Sequence, residues 1–87
     1  MRQVAYTDTA RKQMRHLPHQ AAQRIDEKMH QYADDPGSLA NNVVALQGGS
    51  GLLRLRVGDW RVIFSDEGLV LLVVKVGPRG QIYRVKE

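Results

Sequence analysis

The sequence predicts an α+β domain: a short N-terminal strand, then a helical hairpin packed on one face of a small, mainly antiparallel β-sheet. Three observations carry this. Apolar residues recur at helical spacing in the first half of the chain. In the second half they alternate or run at strand length between turn signals. The 87 residues suffice for one small core, so residues 1–87 form a single domain.

The elements follow in order. Val4-Ala5-Tyr6 reads as the first strand, and Thr7 or Asp8 supplies a helix N-cap. Ala10, Met14 and Leu17 then mark the apolar face of a short helix. Pro18 interrupts it and suits the first position of a second helix, where its missing N–H costs nothing. Ala21, Ala22, Ile25, Met29, Tyr32 and Ala33 share one face of that helix, which Asp34-Asp35-Pro36-Gly37 stops. Residues 36–51 read as connection, with Val43, Val44 and Leu46 touching the core and a flexible Gly48-Gly49-Ser50-Gly51 end.

A β meander follows. Leu53–Val57 and Trp60–Ser65 flank Gly58-Asp59, a two-residue turn with glycine first that suits type II′. Asp66-Glu67-Gly68 is a three-residue loop, Leu69–Val76 the most apolar strand, and Gln81–Lys86 the last one. The first turn sets a register in which Val57 faces Trp60, Arg56 faces Arg61, Leu55 faces Val62, Arg54 faces Ile63 and Leu53 faces Phe64. Leu53, Leu55, Val57, Trp60, Val62 and Phe64 then line the core, and Arg54, Arg56 and Arg61 point the other way. If Ser65 faces Leu69, then Val70, Leu72, Val74 and Val76 join the core, while Leu71, Val73 and Lys75 join the arginine face. Arg79 follows that strand.

The expected outcome is a concave, uncovered sheet face bearing Arg54, Arg56, Arg61, Lys75 and Arg79, with no carboxylate at its strand positions. A passive, solvated outer face would also be polar. Arg56 directly opposite Arg61 is nonetheless a like-charge pair, unfavourable in a sheet unless both charges serve a ligand. The ligand that suits several arginines at regular spacing is a phosphodiester chain, which the guanidinium fork grips with two hydrogen bonds.

Composition narrows the function classes. Nine of the thirteen cations are arginine, the net charge is +4, and residues 47–87 hold seven cations against four anions. The absence of cysteine removes disulfides, thiolate zinc sites and cysteine nucleophiles, and suits a cytoplasmic protein. The longest apolar run, Leu69–Val74, is far short of a membrane span, and Met1–Tyr6 carries no leader-type apolar region. His16, His19 and His30 lack partners at metal-ligand spacing, so no metal is expected and no cofactor either. The glycine-rich stretch lacks the Lys-Ser/Thr of a phosphate-binding loop. Asp26-Glu27 and Asp34-Asp35 read as solvated residues facing away from the sheet, and Trp60 as core.

Leu46-Gln47-Gly48, Leu53-Arg54-Leu55-Arg56-Val57-Gly58-Asp59-Trp60-Arg61-Val62-Ile63-Phe64, Val74-Lys75-Val76-Gly77-Pro78-Arg79 and Ile82-Tyr83-Arg84 together resemble the RelE/ParE superfamily of bacterial toxins from toxin–antitoxin operons. The resemblance spans essentially the whole chain. It implies one of two activities on the same fold: cleavage of messenger RNA in the A site of the 70S ribosome, as in RelE-like members, or poisoning of DNA gyrase, as in ParE-like ones. A non-catalytic nucleic-acid or partner-binding module is the third reading. The resemblance further implies that Arg61 grips the scissile phosphate, that Arg79 sits near the leaving group and that Arg54 fills a basic strand position. Tyr83 matches a C-terminal tyrosine of RNA-cleaving members, which favours an endoribonuclease. Leu52 departs from the pattern, standing where a lysine is usual. A cognate antitoxin protein is the implied partner.

Overall fold

The computed structural model describes residues 2–46, 48 and 50–80. The chain runs β1 (Gln3–Tyr6), α1 (Asp8–Arg15), α2 (His19–Asp34), a 3₁₀ segment (Pro36–Asn42), β2 (Val43–Ala45), β3 (Leu52–Val57), β4 (Trp60–Asp66) and β5 (Val70–Pro78). The strands form a sheet of order β1-β5-β4-β3-β2. β1 pairs parallel with β5, and the other neighbours are antiparallel. No helix among the described residues is long and apolar enough to cross a membrane.

Local chemistry starts the helices within a residue of expectation, but α1 ends at Arg15, two residues before the Leu17 assigned to its apolar face. The Thr7 hydroxyl accepts the Ala10 N–H at 3.1 Å and caps α1. Pro18, extended at φ −52° and ψ 141°, is the N-cap of α2 rather than its first residue. Ile25, Met29 and Ala33 of α2, with Ala10 of α1, are buried against Leu55, Val57, Val62, Phe64, Leu71, Val73 and Val76. Phe64 sits at the centre, with no exposed surface and the ring of Tyr32 edge-on at 5.2 Å. Truncation of a core phenylalanine costs about 3–5 kcal/mol, so this ring is a large single contributor to the packing of so small a core.

The β3–β4 hairpin has the expected register at every position from Val57↔Trp60 to Leu53↔Phe64. Gly58 takes φ +58° while no non-glycine residue described has positive φ, as a II′ turn with glycine first requires. The β4–β5 register differs from expectation. Asp66 pairs with Leu71, Ser65 with Leu72 and Phe64 with Val73, so Leu71 and Val73 are the core residues and Leu72 is not. The connection is residues 67–69, one position later than expected, and a Glu67 N–H to Val70 carbonyl bond closes it. A bulge at Val74 then restores the expected parity: Ile63 pairs with Lys75, and Val62 with Val76. Residues 36–46 also hold more structure than a plain connection. They form the 3₁₀ segment, which buries Leu39, and the edge strand β2, with Val43 opposite Leu55. The expected last strand, Gln81–Lys86, lies outside the described residues.

Two polar ties fix the N-terminal strand. The Tyr6 hydroxyl donates to Asp26 Oδ1 at 2.6 Å, so Asp26 faces β1 instead of pointing away from the sheet. Arg2 donates to the carbonyls of Ala33 and Tyr32 in the last turn of α2, and to Asp66 Oδ1 at 2.8 Å. It thus joins a helix C-terminus, where cations are favoured, to the β4–β5 connection.

Candidate nucleic-acid interface

The register places the predicted cations on the sheet face opposite the helices. In one row across the strands stand Val44, Arg54, Ile63 and Lys75; in the next stand Arg56, Arg61 and Gly77. Strand geometry sets Arg54 and Arg56 about 7 Å apart along β3, and Arg54 and Lys75 about 10 Å apart across Ile63. Arg79 follows β5, and its backbone N–H donates to the Asp59 carbonyl at 2.9 Å. That bond holds it beside the β3–β4 turn, at the end of the sheet where Arg61 pairs with Gly77. The backbones of Arg61 and Arg79 therefore lie at one end of the sheet, and Arg54 and Lys75 lie further along it.

The face is not uniformly open, contrary to expectation. Ile63 is 6% exposed although it lies outside the main core cluster, and Arg61 is only 9% exposed. The Arg61 guanidinium donates from Nη1 to the Gly58 carbonyl at 2.9 Å and the Trp60 carbonyl at 3.0 Å. This explains how the Arg56–Arg61 pair is tolerated: Arg61 folds onto two carbonyl dipoles of its own hairpin, while Arg56 extends into solvent. Arg54 and Lys75 are half-buried and Arg79 is exposed. Leu52, at the position where the family pattern has a lysine, is half-buried opposite Ser65 on the same face. Tyr83 lies outside the described residues, as does Arg84.

Other predicted features fall away from this face. His16 and His30 each turn Nδ1 to a carbonyl one helical turn earlier, of Lys12 and Asp26 respectively. Among the described residues no cluster of three histidine or acidic side chains is placed to hold a metal. Burial first, then the hydrogen bond to the Asp26 carboxylate, pushes the Tyr6 hydroxyl well above the usual phenol range. The hydrogen bond from Arg2 holds the Asp66 carboxyl below the usual carboxylate range. Both are structural groups on the helix side or loop end. Sequence reading missed them because neither pairing has a local spacing signature: the partners are 20 and 64 residues apart.

Comparison with known proteins bears on what this face serves. No curated protein sequence gives a significant match. Among solved structures, the chain is similar to the archaeal RelE–RelB complex from Pyrococcus horikoshii OT3, with 27% identity, 92% of this chain and 97% of that chain covered, and a TM-score of 0.73. It shares the fold of the RelB–RelE antitoxin–toxin complex from Methanococcus jannaschii (20% identity, 95% and 99% covered, TM-score 0.76). It also shares that of the intact E. coli RelBE complex (20% identity, 90% and 96% covered, TM-score 0.72). Residues 4–83 match the family described as the ParE toxin of type II toxin–antitoxin systems, parDE. With that match spanning residues 4–83, and a RelE-like arrangement of helical hairpin and meander in the structure, the chain belongs to the ParE toxin family and is a toxin of the RelE/ParE superfamily.

Proposed function

We propose that this toxin is a RelE-like endoribonuclease that cleaves messenger RNA, acting in the cytoplasm at the ribosomal A site, and that a cognate antitoxin holds it in check. The observation that carries the reading is the cationic face itself. Arg54, Arg56, Arg61 and Lys75 lie in two adjacent rows, with Arg79 at their end, and this suits a chain of phosphates rather than a single anion. The likeness to an archaeal RelE at 27% identity supports it. The antitoxin partner is carried over from the RelE–RelB complexes among the similar structures.

In this reading the RNA 2′-hydroxyl attacks the adjacent phosphorus and the bond to the next nucleotide's 5′-oxygen breaks. The products are a 2′,3′-cyclic phosphate and a 5′-hydroxyl. Arg61 and Arg54 stabilise the extra negative charge on the phosphoryl oxygens, and Arg79 steadies the leaving oxygen. Tyr83 moves or positions the proton that leaves the 2′-hydroxyl, and the departing 5′-oxygen takes up a proton from solvent, so none is gained or lost overall. The reaction so written consumes no water and uses no metal ion. Tyrosine and arginine hold their protons tightly, with reference values near 10 and above 12, so the set makes a weak free ribonuclease. The ribosome would supply the in-line geometry that these residues cannot impose alone.

A second reading is favoured by the matched family's own description, which names ParE: gyrase poisoning on the same fold. Arg79 separates the two. It is exposed, so Arg79→Ala leaves the fold intact, and purified variant with mRNA-programmed ribosomes is expected to cleave about 10²-fold more slowly than wild type. Wild-type fragments should end in 2′,3′-cyclic phosphate. Equal cleavage by the variant removes Arg79 from the reaction, and a wild-type protein that leaves the RNA intact removes the activity.

A further inference from the structure

One cation at the turn end of the sheet comes from the helix side, and no spacing in the sequence ties it there. Arg24 is exposed on α2, one residue before the buried Ile25. Its Nη1 rests against the β3–β4 turn, 3.9 Å from the place a β-carbon would take at Gly58. Two other arginines hold the same turn. Arg61 Nη1 donates to the Gly58 carbonyl at 2.9 Å, and the Arg79 backbone N–H to the Asp59 carbonyl at 2.9 Å. Arg56 stands exposed two residues before the turn, about 7 Å back along β3. The cations of the outer face thus continue round the end of the hairpin to the helix side.

A solvated arginine on a helix ordinarily settles on an acid one turn away, and Glu27 stands three residues on. Among the described residues no ion pair joins them, and Arg24 lies on the turn instead. Asp59, the carboxylate of the turn, likewise makes no ion pair with Arg24, Arg56, Arg61 or Arg79 among the described residues. Elsewhere the pairs do form: Arg2 with Asp66, and Arg11 with Asp8. Like charges gathered round one turn repel each other, and a bound polyanion removes that repulsion.

We propose that Arg24 is an RNA-binding residue that holds the phosphate following the scissile one on the leaving-group side. The inference rests on the endoribonuclease reading above and adds a contact that lies off the sheet face. Its direction follows from the layout. Arg54 and Lys75 lie along the sheet, and the backbones of Arg61 and Arg79 lie at its turn end. A strand that passes Arg54 and Arg61, with its leaving oxygen at Arg79, next reaches the turn and Arg24. The guanidinium carries its charge at every working pH and touches no reacting atom, so it contributes to binding and not to the chemical step.

The test gives the full-length toxin mRNA-programmed ribosomes. The message is either unmodified or carries one methylphosphonate, a neutral phosphate mimic, at the linkage 3′ of the scissile one. Arg24→Gln should raise KM about fivefold, the size of one exposed charge contact, with kcat within about twofold of wild type. Arg24→Lys should restore most of the loss. The neutral linkage should raise the wild-type KM by the same factor and have no further effect in Arg24→Gln. Both variants should melt with wild type, because Arg24 is exposed. Wild-type KM in Arg24→Gln, or losses from variant and linkage that simply multiply, overturns the assignment of Arg24 alone. A joint fall in kcat and melting temperature also overturns it, and makes Arg24 a brace of the turn that positions Arg61. Wild-type toxin that leaves the unmodified message intact overturns the endoribonuclease reading and the role of Arg24 with it.

Discussion

Arg61 meets two demands that pull in different directions. It is the residue proposed to grip the scissile phosphate, yet its guanidinium is spent on the Gly58 and Trp60 carbonyls and is only 9% exposed. A guanidinium has five N–H donors, and the two carbonyls engage one nitrogen, Nη1, so the rest of the fork remains for a phosphate. The carbonyl bonds then serve to hold the fork in place before substrate arrives. A prediction follows for stability as well as activity. Hydrogen bonds from a charged donor are worth about 1.5–3 kcal/mol when part-buried, so Arg61→Ala should lower the melting temperature as well as abolish cleavage. Arg61→Lys, which keeps the charge and loses the fork, should recover much of the stability and little of the cleavage. Calorimetry beside a cleavage assay checks both. Wild-type cleavage by Arg61→Lys would mean that the charge alone matters and that the carbonyl bonds are incidental.

At the scale of elements, the Tyr6–Asp26 bond ties β1 to α2 in a partly buried setting. The Tyr6 hydroxyl is raised in the folded state, so the bond's stabilisation is fully present below the unfolded phenol value of about 10 and is lost as pH climbs above it. Tyr6→Phe should cost about 1–2 kcal/mol at neutral pH and should flatten the alkaline fall in melting temperature. An identical alkaline slope in wild type and variant would show that another group unfolds the protein at high pH. The same scale shows what was legible in the sequence. The β3–β4 register could be read because a two-residue turn with glycine first admits one pairing, and it placed Arg54, Arg56 and Arg61 on one face correctly. The β4–β5 register could not be read. Leu69–Val74 is apolar at every position and carries no alternation to choose a face, and the Val74 bulge has no sequence signal. Lys75 still landed on the outer face, because the later turn and the bulge together return the strand to its expected parity. The burial of Arg61 was hidden for a different reason: alternation tells which face a side chain takes, and nothing of what it folds onto there.

For the whole molecule, the division of labour follows from its size. A chain of 87 residues has one core, and the helical hairpin occupies the only sheet face that the core needs. The other face is left for charge. The net charge of +4 speeds encounter with any polyanion but does not choose between RNA and DNA. In the proposed function the choice rests on chemistry at the Arg61–Arg79 end of the sheet, and one measurement reads it in the cell. The protein is induced, and RNA 5′ ends are mapped across the transcriptome alongside DNA breaks covalently linked to gyrase. The account predicts new RNA 5′ ends phased with codons within translated messages, without gyrase-linked breaks, and their loss in Arg79→Ala. Gyrase-linked DNA breaks with no new RNA ends would contradict it and assign the cationic face to a different target.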